Sequence, residues 1–461
     1  MPDLMPVLAD SGSNLLAARY QMAFTLGFHI ILACFGVAFP AMMLIAEYRG
    51  RKHGDEDALR LARRWSKAVA VLFAVGAVSG TVLSFEFGLL WPGMMDRFGD
   101  AFGIAFAIEG IFFFLEAIFI AIYIYGWKRL PGWAHFWSGV PIVISGIGGA
   151  LSVIAANAWM NTPAGFTLGR DGRVDDVDTV DVLFNTSTAH EFVHMWIAAY
   201  LVAGFLVASI YAVKLLRGDR SHYTRLGFLI PFTVAAIFAP VQLIVGDFVA
   251  RDVYEDQPIK FAAMECVYET GPDQPEHIGG ICTDGEVKGS ISIDGLDSLL
   301  AGFSTDTVVE GLNEVPKELQ PPTPTTIHLA FDAMVGIGTL LALLAVWFAV
   351  SWWRRRDIPP SRWFLRIAAA SGVLAVLALE AGWMVTEIGR QPWIVSGYMK
   401  VEEAVTNAQG IWWAFALTML IYVGLAAVTV YVLRGLAQRP DAEAPAGDIP
   451  YAPRTGEEAA K

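Results

Sequence analysis

Charged side chains make up only 17% of this sequence, against 55% hydrophobic. A soluble protein of 461 residues would break its apolar runs far more often, so that scarcity excludes an ordinary soluble enzyme. The N-terminus has no basic stretch followed by a short apolar core and a cleavage site, and no removable signal peptide is expected. There is no internal repeat. Cysteine is rare: Cys34 falls within an apolar run, and Cys266 and Cys282 share a polar segment. An oxidising compartment would permit a disulfide between those two, with free thiols as the alternative.

What is present is apolar sequence in long blocks. Nine stretches, at about 16–48, 66–91, 101–126, 136–160, 188–214, 225–249, 327–353, 363–386 and 409–435, reach the roughly 20 residues that a bilayer demands. Backbone in lipid must satisfy its own hydrogen bonds, so each is expected as a helix. The fold class is therefore an all-α integral membrane protein with nine transmembrane helices. Basic residues fall unevenly between the ends: 22 of the 32 lie in 47–67, 128–129, 214–225, 354–366 and after 433. The positive-inside rule makes that side cytoplasmic, with the N-terminus outside and the C-terminus inside. Spans one to six then occupy 1–249, an outer loop 250–326, spans seven to nine 327–435, and a disordered cytoplasmic tail 436–461. The net charge of −13 comes largely from acidic outer loops and gives no reason to expect nucleic acid.

Ionisable groups inside a membrane are costly and mark function by default. Here there are eight: His29, Glu86, Glu109, Glu116, His194, Asp332, Glu380 and Glu387. Helix-packing contacts would account for one or two. His194 and Met334 each lie six or seven residues into spans that run inward, so both sit roughly 10 Å below the outer surface. His and Met are the paired axial ligands of low-spin electron-transfer haem. His29 has a similar depth, and Glu387 ends span eight; a haem held by one such residue is open to O2 on its other face. The blander readings are a histidine bonded to a neighbouring helix and a methionine that only packs. Glu109 and Glu116, like Glu380 and Glu387, are seven apart and share a helix face, which suits a proton route or interhelical hydrogen bonds.

One motif points elsewhere. "AHEFVHMW" at 189–196 contains His190, Glu191 and His194 in the HExxH spacing of zinc proteases. A third protein ligand in a recognised zinc-protease context is lacking, so an intramembrane zinc metalloprotease is kept as the alternative.

"GWMVTEIGRQPW" at 382–393 resembles, almost letter for letter, the GWxxxExGRQPW signature of subunit I of the cytochrome bd-type quinol oxidases. "AIEG" at 107–110, "FLEA" at 114–117, "AANAWMN" at 155–161, "FVH" at 192–194 and "DQPIKFAAMECVYET" at 256–270 are similar to further segments of that family, in order, from about 15 to 435. The resemblance implies that His194 and Met334 ligate a low-spin haem b. It implies that His29 and Glu387 ligate a high-spin haem b and a third haem, either d or a further b. Glu109 and Glu116 would lie near these or on the proton path, Arg390 and Trp383 would line the haem cluster, and Lys260 and Glu265 would serve quinol in a short-type outer loop. It further implies a terminal oxidase in the bacterial cell (inner) membrane that oxidises quinol outside, reduces O2 to water and builds a proton gradient without pumping. Subunit II and a small single-span subunit would be its partners, with membrane lipid around them. Two departures stand out: Asp332 where the family often has Arg, and Glu86 within "FEFG" where it has FQFG. Unless paired with a cation, Asp332 would lower the potential of the neighbouring haem. A haem-copper oxidase needs clustered histidines, which eight scattered ones do not supply. A di-haem cytochrome b needs paired histidines on two helices. A transporter leaves Met334 and the GRQPW run without a reason.

Overall fold

The computed structural model describes residues 4–283 and 285–438. In chain order its helices are α1 (Leu4–His53), α2 (Glu56–Leu90), α3 (Pro92–Gly126), α4 (Gly132–Asn161), α5 (Thr179–Leu183), α6 (Thr188–Leu216) and α7 (His222–Asp256). There follow α8 (Pro258–Glu265), α9 (Leu296–Gly302), α10 (Pro324–Arg355), α11 (Arg362–Gly389), α12 (Val401–Ala404) and α13 (Ile411–Gln438). Among the described residues nine helices are long and apolar enough to cross a membrane: α1–α4, α6 (which follows the short α5), α7, α10, α11 and α13.

The helices outrun the apolar stretches that announce them. α2 begins at Glu56 rather than 66, and α7 continues to Asp256 rather than 249. Polar flanking turns leave the hydrocarbon yet keep their backbone hydrogen bonds, and hydropathy does not register them. Caps fix several ends. Asp55 accepts from the Ala58 amide at 3.2 Å with Glu56 and Asp57 in the first turn of α2, and Ser221 accepts from Thr224 at the start of α7. Arg51, Lys52 and His53 close α1, and Arg354 and Arg355 close α10, where the helix dipole favours cations. Residues 436–438, expected in the tail, are the last turn of α13. The rest of that tail lies outside the described residues.

α6 is central, packed along α1, α7 and α11, while α3 pairs with α4 and α10 with α11. Small residues let helices approach: a Cβ on Gly372 of α11 would lie 2.6 Å from the Leu206 Cα of α6. Among the described residues, the segments expected outside carry four two-stranded antiparallel ribbons: β1 (Phe166–Leu168) with β2 (Val174–Val177), β3 (Glu276–Ile278) with β6 (Ile291–Ile293), β4 (Ile281–Thr283) with β5 (Glu286–Lys288), and β7 (Trp393–Val395) with β8 (Met399–Lys400). Cys282 stands opposite Val287 and is disulfide-bonded to Cys266 at the end of α8, with Cα atoms 6.0 Å apart. That settles the cysteine question in favour of the bridge. Phe261, Met264, Val267, Ala301, Val309 and Leu312 form the loop's own apolar core, which continues into Ile327 of α10 and Val385 of α11. The loop is thus seated on the two helices that carry Met334 and Glu387.

Candidate functional site

His29 of α1 points at α2, where its Nδ1 is 2.9 Å from the Ser79 hydroxyl. That hydroxyl also lies 3.1 Å from the Gly76 carbonyl, and donation there leaves Nδ1 as donor in the pair. In that tautomer Nε2 keeps its lone pair, the state a metal-ligating histidine needs. His194 of α6 faces α7. Its Nε2 is 3.1 Å from the Gln242 amide nitrogen, and its Nδ1 is buried with no hydrogen-bond partner. Met334 of α10 faces α11. In each case a glycine on the neighbouring helix leaves the room. An added Cβ would lie 2.9 Å from His29 Cε1 at Gly80, 3.4 Å from His194 Cε1 at Gly246, and 2.8 Å from Met334 Sδ at Gly382.

Glu387 is the hub of a polar chain that reaches the outer loop. Its carboxylate accepts from the Asn157 amide at 2.7 Å and from the Arg390 guanidinium at 2.5 Å. Asn161, one turn further along α4, donates to Asn157 and accepts from Lys260 Nζ at 2.9 Å. Lys260 lies on α8, beyond the spans, and is buried. Its ammonium is destabilised, with the pKa lowered to about 8, mainly by desolvation. Nearby Glu191 and Glu387 oppose that shift, and Arg390 adds to it.

Glu191, the middle residue of HExxH, faces this same group of Asn161, Lys260, Arg390 and Glu387. His190 instead pairs with Asp252 of α7 at 2.8 Å, and His194 turns to Gln242. The three residues of the motif therefore serve three different neighbourhoods, and nothing gathers them round one zinc ion.

Other expected residues distribute as follows. His29, Glu109, Glu116 and Trp383 share one largely apolar cavity, whose lining also includes Ser145 and Trp196 but not His194, Met334 or Glu387. Glu86 is tied to α1 by Gln21 at 2.8 Å and Thr25 at 3.0 Å. Glu265 sits five residues after Lys260 and faces another cluster, with Glu276, Asp297 and Asp332 as its neighbours. The supposed quinol pair is thus split between two surroundings. Asp332 has local partners: His328 Nε2 lies 3.6 Å from its carboxylate, and the Gly279 amide donates to it at 2.6 Å. Asn157, Asn161 and Gln242 were not among the residues singled out from the sequence. Their signal was there as amides in an apolar helix, two of them four apart in "AANAWMN".

Residues 17–440 match the sequence profile of the family described as cytochrome bd terminal oxidase subunit I. The chain belongs to that family. A Bacillus subtilis (strain 168) protein named as a cytochrome bd menaquinol oxidase subunit I is 35% identical over 91% of this chain and 96% of its own length. The cytochrome bd ubiquinol oxidase subunit 1 of the same organism is 30% identical over 91% and 92%. The solved bd oxidase of Geobacillus thermodenitrificans superposes with a TM-score of 0.86 at 35% identity, covering 92% of this chain and 98% of that one. The protein is accordingly a multi-pass membrane subunit of a quinol:O2 oxidoreductase, from a haem-containing family in which subunit I works with a subunit II. The residues present suit such a group. His194 Nδ1, Glu116 Oε1, Glu380 Oε1 and two nitrogens of Arg390 are buried without partners, and the glycine gaps stand beside His29, His194 and Met334. The zinc protease reading is not favoured.

Proposed function

We propose that this subunit oxidises quinol at its outer loop and reduces O2 to water, with His194 and Met334 holding a low-spin haem b and His29 and Glu387 holding a high-spin haem b and a haem d or further b. The haems, when bound, supply the electron transfer and the O2 chemistry. The chain supplies binding, orientation and proton handling. The observation that carries this reading is the unbroken chain Lys260–Asn161–Asn157–Glu387–Arg390, which joins the loop to a candidate ligand. Lys260 and Glu265 are the loop residues that serve quinol, each from its own side of α8. Glu109 and Glu116 take protons from the cytoplasmic side, and Arg390 and Trp383 line the cofactor space. Quinol protons leave outside, so a gradient forms without a pump. The exterior position of the N-terminus and of the loop follows from the basic residues.

α2, α3 and α13 are the least buried of the nine spans and form one face, on which Glu109 lies. A carboxyl is costly against lipid, so subunit II is the better cover for that face. A small single-span subunit and membrane lipid complete the surroundings. The 35% identity to the menaquinol-named relative favours menaquinol over ubiquinol as substrate.

The test is a reduced-minus-oxidised absorption spectrum of the purified complex, followed by acid-acetone haem extraction, on wild type and His194→Ala. A low-spin b signal that His194→Ala abolishes is expected, with a red-shifted chlorin band if the third haem is d. An unchanged low-spin signal in His194→Ala would remove that assignment, and zinc without haem would overturn the whole reading.

A further inference from the structure

The outer loop holds a second cluster, in surroundings separate from those of Lys260. Glu265 at the end of α8, Glu276 on β3 and Asp297 on α9 bring one carboxylate oxygen each within 4.8 Å of one another. Glu265 is 4% exposed and Asp297 1% exposed. Their Oε2 and Oδ2 atoms are buried and accept no hydrogen bond. The titratable neighbours are Asp332 and His328 of α10, which face each other at 3.6 Å. Among the described residues, no lysine or arginine is among the groups acting on the three carboxyls. Burial and mutual repulsion push all three upward, Glu276 to about 7 and Asp297 to about 8.

Buried anions are paired with cations or coordinate metals. We propose that Glu265, Glu276 and Asp297 form a site for one divalent cation of the calcium class. The donor set is all oxygen, as a hard cation requires. Ca–O distances of about 2.3–2.6 Å put ligands on opposite sides of one ion up to about 5 Å apart. Oxygens that all lie within 4.8 Å of one another fall inside that envelope. The ion would join three segments that the backbone does not pair, α8, β3 and α9, and would fix the face of α8 opposite Lys260. Loop geometry, and with it the placement of Lys260, becomes dependent on external divalent cation. The ion-binding claim itself does not rest on the quinol reading.

The experiment uses the full chain purified with its partner subunit, stripped with chelator and titrated with Ca2+ alone, with bound calcium measured directly and loop proteolysis as a second readout. One saturable calcium per chain is expected, half-filled near 10⁻⁴–10⁻³ M as in extracellular modules, at roughly those values. Glu276→Gln and Asp297→Asn should each weaken it at least about tenfold, and Asp306→Asn, an exposed loop acid, should not. Calcium should slow cleavage of the wild-type loop and not that of the two variants. No saturable binding up to about 10 mM, an order above that range, would overturn the proposal. So would binding that survives both substitutions. Because no quinol is turned over, failure here leaves the oxidase reading standing, and loss of haem would not by itself abolish calcium binding.

Discussion

Adding one methyl group at Gly382 tests the Met334 assignment without touching Met334. The new Cβ would stand 2.8 Å from Sδ, where non-bonded heavy atoms settle at about 3.5–4.0 Å, so the sulfur must retreat by roughly 1 Å. Overpacking of that kind costs about 1–3 kcal/mol. A thioether that only packs would swing aside, and no haem property would change. A thioether that ligates iron loses part of its bond instead. Met ligation raises the potential, so Gly382→Ala should lower that of the low-spin haem. At 59 mV per tenfold for one electron, about 1–3 kcal/mol corresponds to a fall of roughly 40–130 mV. The assay is a spectroelectrochemical titration of the low-spin band in the purified complex. Gly336→Ala is the control: it lies on the same helix two residues from Met334, and its Cβ would meet nothing within 4 Å. A wild-type potential and spectrum in Gly382→Ala would refute the assignment, as would an equal shift in Gly336→Ala.

Two further outcomes are expected. Lys260 loses its proton as pH rises through about 8, so kcat/KM for quinol should fall above that pH if the ammonium meets substrate. Lys260→Arg should carry the activity to higher pH, and an unchanged alkaline fall in Lys260→Met would exclude the lysine as its source. The Cys266–Cys282 bridge closes a segment with a sequence separation of 16, for which the chain-entropy estimate is about 3 kcal/mol. Cys282→Ser should therefore raise loop proteolysis by up to roughly a hundredfold while the haem spectrum persists, and an unchanged cleavage rate would contradict that.

The spans were legible because a bilayer imposes one constraint, apolar length, on every one of them. The candidate ligands were legible because a titratable group in lipid is conspicuous. What surrounds them was not. Gly80, Gly246 and Gly382 matter for what they leave open on a neighbouring helix, and that depends on which helices pack together, which periodicity does not encode. Asn157, Asn161 and Gln242 carry no charge and barely perturb hydropathy, yet they make the hydrogen bonds that join Glu387 to Lys260 and contact His194. Lys260 and Glu265 look like one site in the sequence because they are five residues apart. On a helix five residues is some 140° of rotation, enough to send them to different clusters.

The partners of Asp332, too, depend on how the loop packs on α10. Read in isolation, an anion two residues before a haem ligand would hold the potential down through a low-dielectric path. In the fold it is the third of three contacts by which the outer end of α10 grips the loop. Thr325 bonds both the amide and the carbonyl of Cys282, His328 Nδ1 meets the Met264 carbonyl at 2.9 Å, and Asp332 takes the Gly279 amide. Its carboxylate accepts that amide and faces His328 Nε2 at 3.6 Å. The disulfide then passes the grip from Cys282 to Cys266 and so to α8. A residue that departs from the family's usual cation is thus tied to its own loop, which the disulfide joins to α8, the helix that carries Lys260.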